Sequence, residues 1–156
     1  MDSDSAAPLA RLIRLQRVAA LGTLRQGAPL VSMVAYLPEA DFSGFLLRVS
    51  GLAWHTQDML QDARVSLVIA ETDDGRADPQ TLARITLRGE AAQRPGAGDD
   101  FERAKRAWLA RFPESAVTFE LADFSFWRIA PRDARYVAGL GRTYNLSAEA
   151  LRQAAI

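Results

Sequence analysis

The sequence predicts a mainly β, α+β fold in which six to seven largely antiparallel strands close a small barrel and three or four helices lie at its periphery. Three observations carry that expectation. Runs with period-two alternation or β-branched enrichment recur between turns rich in Gly, Pro and Asp. No helix follows each strand in the manner of a parallel α/β sheet. The 156 residues are 49% hydrophobic and 24% charged, as in an ordinary globular chain. A single domain over residues 1–156 is expected, with residues 1–5 as a flexible N-terminus.

The elements follow in order. Residues 6–20 place Leu9, Leu12, Ile13 and Ala20 near one helical stripe, with Ser5 able to cap the start. Arg11, Arg14 and Arg17 recur beside that stripe and read as solvated stems. After Gly22 the pattern turns to β: Thr23-Leu24, a Gln26-Gly27 turn, then Leu30 to Tyr36, which together read as a hairpin. Phe45 to Val49 is a third strand that breaks at Ser50-Gly51, and Leu52 to Gln61 a short helix. Arg64 to Ala70 is mostly apolar, the mark of a strand buried on both faces. Arg84 to Ala91 alternates polar and apolar, as a strand with one wet face does. Asp99 or Asp100 can cap a helix running to about Arg111, where Phe112-Pro113 stops it. Two last strands are expected at Asp123 to Ala130 and Ala134 to Val137 around a Pro131-Arg132-Asp133 turn. A Gly139-Leu140-Gly141 bend precedes Asn145-Leu146-Ser147, which can cap a short C-terminal helix.

Composition excludes several chemistries. With no cysteine there are no disulfides, thiolate nucleophiles or cysteine zinc sites, and with one histidine, His55, there is no Ser-His-Asp triad beyond it and no His-rich metal centre. The 19 basic and 19 acidic side chains cancel, which argues against a nucleic-acid partner. Lys105 is the sole lysine and lies in a polar helical stretch, so a Schiff base is not expected. Asp73-Asp74 and Asp99-Asp100 read as turns and caps rather than metal ligands, and Trp54, Trp108 and Trp127 as core or subunit packing. Met1-Asp2-Ser3-Asp4 lacks the basic region of a secretion signal and no run is apolar enough for a span, so a cytoplasmic location without membrane partners is expected.

The stretch Val49-Ser50-Gly51-Leu52-Ala53-Trp54-His55-Thr56 carries the most chemical information: a strand ends, a Ser-Gly turn follows and a helix begins. Amides at a helix start point outward with the positive end of the dipole behind them, and Ser50 and Thr56 add hydroxyls that suit a phosphate. His55 could supply a cation there. A capped helix start with an exposed imidazole fits the same residues, and the local pattern leaves both open.

Taken together, Leu15 to Leu24, Pro29 to Tyr36, Ser50 to Thr56 with Asp62-Ala63-Arg64-Val65-Ser66-Leu67, Asp78-Pro79, Arg84 to Gly89, Asp123-Phe124 and Arg135 to Gly141 resemble the pyridoxamine 5'-phosphate oxidase-like FMN-binding split β-barrels, and their haem-utilisation branch in particular. The resemblance covers nearly the whole chain. It implies a homodimer with a shared cofactor slot and FMN as cofactor, with Val49, Ser50, His55 and Thr56 at the phosphate, Ser32, Met33 and Val34 along the ring and ribityl chain, and Arg84 reaching the flavin, often from the partner subunit. The oxidases proper carry Arg-Lys where this chain has His55-Thr56, which changes the charge of the clamp.

An FMN-dependent oxidoreductase acting on a small molecule is therefore the main expectation. Haem binding or degradation is the alternative. Members with that activity generally use a histidine near the C-terminus as iron ligand, whereas Gly141 to Ile156 contains none and offers only Tyr144. A non-catalytic flavin-binding module is the third possibility.

Overall fold

The computed structural model describes residues 1–156. Helix α1 (Ser3–Leu15) is capped by Asp2, whose carboxylate accepts the Ser5 amide at 2.9 Å. It starts inside the segment expected to be loose and stops short of Ala20. The reason is that residues 18–25 already alternate with period two, Ala19, Leu21 and Thr23 pointing inward, and form strand β1 (Val18–Arg25).

A tight turn at Gln26 and Gly27, both at positive φ, leads into β2 (Ala28–Ala35). Then come the two-residue β3 (Leu37–Pro38), β4 (Phe45–Ser50), helix α2 (Trp54–Gln61) and β5 (Arg64–Ala70). The chain continues through β6 (Arg84–Gln93), helix α3 (Asp99–Arg111), β7 (Phe124–Gly139), β8 (Arg142–Ser147) and helix α4 (Ala148–Gln153). All pairings are antiparallel, in the order β2-β1-β5-β6-β7-β4-β3 with β8 on β7, and β2 comes back against β4. The expected mainly β barrel with peripheral helices is the fold observed. No helix is long and apolar enough to cross a membrane.

Inward residues of alternate positions fill the barrel: Leu21, Phe45, Leu47, Leu67, Ile69, Ile85, Leu87 and Ile129 are all fully buried, and α1 closes one side with Leu9 and Ile13. A second, smaller cluster forms where Trp108 of α3 and Phe112, just past its end, pack on Phe126. Arg111 fastens this helix to the barrel, donating to the backbone carbonyls of Tyr36, of Arg14 in the last turn of α1 and of Gln16 at its C-cap, the last two being among the terminal carbonyls without an intrahelical partner.

Two expectations change. Pro131-Arg132-Asp133 is not a turn: β7 runs unbroken for 16 residues. Proline has no amide to give a ladder, yet here Pro131 sits opposite Gly89 where the register shifts between Arg88 and Gly89, and a bulge tolerates it. Glycine is required opposite, because a Cβ on Gly89 would lie 2.1 Å from the Ala130 carbonyl oxygen. Strand β5 is buried on one face only. Val65, Leu67 and Ile69 point into the core, while Ser66, Val68 and Ala70 share an outer face with exposed Val18, Val31 and Met33.

Gly89→Ala is expected to lower unfolding stability by about 1–3 kcal/mol, because backbone must move to admit the methyl. Gly96→Ala, where nothing lies within 4 Å, should change it little. Parallel denaturant melts check the pair, and equal stabilities would contradict the account of the bulge.

Candidate functional site

Helix α2 is where the sequence-selected residues meet. It follows β4 through a turn in which Ser50 Oγ donates to Asp123 Oδ2 at 2.5 Å and accepts the Leu52 amide at 3.1 Å, so that the hydroxyl is occupied within the chain. The Gly51 amide donates to the Asp123 carbonyl at 2.6 Å. Ala53 stands at the N-cap and supplies no side-chain acceptor, and the first turn carries no acidic residue. Thr56, in that turn, is buried, and its Oγ1 has no hydrogen-bond partner. An orphaned buried hydroxyl beside uncapped amides is an arrangement that a bound anion would complete.

What holds the helix in place is a buried carboxylate. Asp58 is 3% exposed; one oxygen accepts Thr23 Oγ1 at 2.7 Å and the other accepts Arg25 Nη1 at 2.9 Å. Thr23 and Arg25 are two apart on β1, so the pleat turns both toward α2. The Arg25 guanidinium also covers one face of the Trp54 ring, 4.2 Å from its centroid. None of Thr23, Arg25, Asp58 and Asp123 stands out in the sequence. The available signal is the i, i+3 spacing of His55 and Asp58 on the helix and the i, i+2 spacing of Thr23 and Arg25 on the strand.

His55 lies one residue from Trp54, its Nδ1 2.9 Å from Ser32 Oγ and its Nε2 without a partner within the chain. Burial pushes the imidazole pKa below its ordinary value, and Asp58 only partly offsets this. Burial thus favours the neutral ring in the unliganded chain, whereas the cation expected of His55 is one that a phosphate dianion beside it would stabilise.

The other selected residues separate. Ser32 and Val34 fall on the α2 side and core side of β2, while Met33 points to the opposite face and is 70% exposed, so the three do not line one surface. Val49 is core. Arg84 pairs with Val137 and Ser50 with Phe124, at opposite ends of β7, and the Arg84 guanidinium donates to the carbonyls of Gln80 and Leu82. Within one chain Arg84 does not join the α2 site.

A second feature lies on the outer face of the sheet. A groove of about 640 Å³ crosses β2, β1, β5, β6 and β7, its lining combining apolar Leu24, Pro29 and Val31 with Arg64, Arg88 and Arg132 and one acid, Glu90. Its depth depends on Gly22, where a Cβ would come 2.4 Å from Ser66 Oγ. Arg88 is committed to Asp133 through two bonds of 2.8 and 2.7 Å and Arg64 to Asp62, whereas Arg132 is no closer than 3.7 Å to a carboxylate and is 70% exposed. Apolar residues beside arginines fit a flat ring that carries acidic groups. No imidazole, thioether or phenol lines the groove, so one chain alone offers no iron ligand there.

Residues 1–151 match the family model described as CREG, beta-barrel. Among curated relatives, the chloroplast haem oxygenase HOZ of Arabidopsis thaliana is 39% identical over 124 residues, 80% of this chain, but the chain spans only 36% of that protein's length. A solved structure of a haem-binding protein from Mycobacterium smegmatis is 32% identical with a TM-score of 0.82, covering 96% of this chain and 60% of that one. A Clostridium acetobutylicum protein of the pyridoxinephosphate oxidase family superposes with a TM-score of 0.71 at 14% identity, covering 97% of this chain and 99% of that one, a likeness of fold alone.

Because His55 is the only histidine, its titration can be followed without assignment. The folded pKa is expected below 6.5, the ordinary value. The unfolded chain then binds the proton more readily between the two values, so this contribution to stability is complete above pH 6.5 and declines as the pH falls below it. NMR titration of the imidazole, with unfolding of wild type and His55→Gln at pH 7 and 5, checks both parts. A midpoint above the ordinary value would show that burial does not dominate.

Proposed function

The chain belongs to the CREG β-barrel family, and we propose that it is a haem-binding protein of the haem-utilisation kind, holding the tetrapyrrole as the substrate of ring opening and working as a homodimer. The observation that carries the reading is the outer groove, whose apolar residues suit the macrocycle and whose Arg132, 70% exposed and 3.7 Å from an Asp133 carboxylate that Arg88 already engages, suits a propionate. The relatives above 30% identity that are named for haem support it further. From the sequence alone, the missing C-terminal histidine ranks haem second to flavin; the relatives favour the opposite order. Ring opening consumes dioxygen and electrons from an external reductant, and the part of this chain is to hold and orient the ring. Tyr144 is a poor iron ligand here, since its hydroxyl is bound to Ser5 Oγ at 2.9 Å. His55, the one imidazole, is held through Nδ1 on Ser32 on the α2 side of β2 and is not a ligand for the groove of the same chain.

FMN remains a second reading because of one observation, the partnerless hydroxyl of Thr56 beside the uncapped start of α2. A flavin phosphate there would meet first-turn amides. It would also meet the Asp123 carboxylate fixed on Ser50, an electrostatic cost that places this reading behind haem.

The second copy is argued from the outer face. Val18, Val31 and Met33 are between 51% and 70% exposed and continue the half-buried Ala20 and Val68. Strand β5 has the composition of one covered on both sides, and another copy of the same face supplies the cover.

Titrating the purified protein with haemin should give a saturable Soret band, and Arg132→Glu should weaken binding about tenfold at low salt. A Soret band that never saturates sinks the haem reading. Light scattering should give the mass of two chains for the wild type and of one for Val31→Glu/Met33→Glu; a monomeric wild type rules out the shared face.

A further inference from the structure

The sequence has three tryptophans. Two are core: Trp108 and Trp127 are each 2% exposed. Trp54 is 60% exposed although it opens a helix packed on the barrel, and it is not free to fold back. One face of its indole lies under the Arg25 guanidinium, 4.2 Å from the centroid. Arg25 in turn cannot leave, since without it the Asp58 carboxylate, 3% exposed, would keep only the Thr23 hydroxyl. A relay of Thr23, Asp58 and Arg25 thus presents the other indole face to solvent, next to exposed Leu52 and to His55.

We propose that Trp54 is the stacking residue for a planar, conjugated ring bearing acidic groups, and that Arg25 is the positioning residue that keeps the indole out for it. The inference rests on the reading that the protein binds such a ring, and adds a stacking surface on the α2 side of the β1–β2 hairpin, separate from the outer groove, whose lining includes neither Trp54 nor Arg25. Haem and FMN share this chemistry. A cation behind the indole polarises it, and an Arg-backed aromatic surface receives flat anionic rings on its open side with the guanidinium close to their acidic groups. The buried carboxylate seats α2 on β1, but the exposure of the indole is without return in the fold.

The test titrates wild type, Trp54→Ala and Trp54→Phe with haemin and, separately, with FMN, following absorbance and the visible circular dichroism of the bound ring, with light scattering on each protein. Trp54→Ala should bind about tenfold more weakly and alter the dichroism at saturation, while Trp54→Phe keeps most of the affinity. A loss confined to haemin assigns the surface to the tetrapyrrole, and one confined to FMN assigns it to flavin. Wild-type affinity and unchanged dichroism in Trp54→Ala overturn the stacking role and leave ring binding intact. Conversion of a dimer to a monomer by Trp54→Ala overturns it in favour of a subunit contact. A wild type that takes up neither ring overturns both this inference and the reading it rests on.

Discussion

A carboxylate taken out of water must be matched where it lies, and Asp58 is matched only by β1. Its two oxygens are used by Thr23 and Arg25, residues that a strand's pleat keeps on one side. This requirement fixes helix α2 in both rotation and height against the sheet. The contact of His55 with Ser32, the buried hydroxyl of Thr56 and the outward indole of Trp54 all follow from that seating. Shift the helix by one residue and each of these groups would face elsewhere, because neighbouring positions on a helix lie about 100° apart.

The β1–β2 hairpin divides the molecule's chemistry between two faces. Towards α2 it offers Thr23, Arg25 and Ser32, which make polar contacts inside the chain; away from it, Gly22, Val31 and Met33 form an uncovered apolar surface continuous with the arginine-lined groove. Strands of a split barrel can do this because only one of their faces is needed for the core. The polar details of the inner face explain why flavin-type anchoring suggests itself.

Much of the fold could be read from residue order. The hairpin, β5, β6 and α3 announce themselves through alternation and turn residues, and Ser147 does cap α4. The failures have local causes. Pro131 reads as a turn because the glycine that accommodates it is 42 positions away, and pairing across a sheet is invisible to a window. α1 and β1 blur because Val18, Ala19 and Ala20 suit either period. For the site, the strand-turn-helix segment is legible, but its neighbours are not: Ser50 is spoken for by Asp123, which is distant in sequence, and whether Met33 shares a surface with Ser32 depends on pleat direction rather than residue type. Arg84 shows the same limit, being set by strand register at the end of β7 remote from Ser50.

Strand β7 pairs with β6 along most of its length, with β4 through its first part and with β8 through its last. It therefore ties β4, β6 and β8 together, and no opening of those three ladders can spare it. Its interior amides are expected to exchange with deuterium slowest, whereas the β1–β2 hairpin, whose ladder to the rest of the sheet runs through β5 alone although β2 also packs on β4, is expected to open as a smaller cooperative unit. The ring-binding surfaces argued above are built largely on that looser unit, so the least protected part of the protein is the part that a ligand would order.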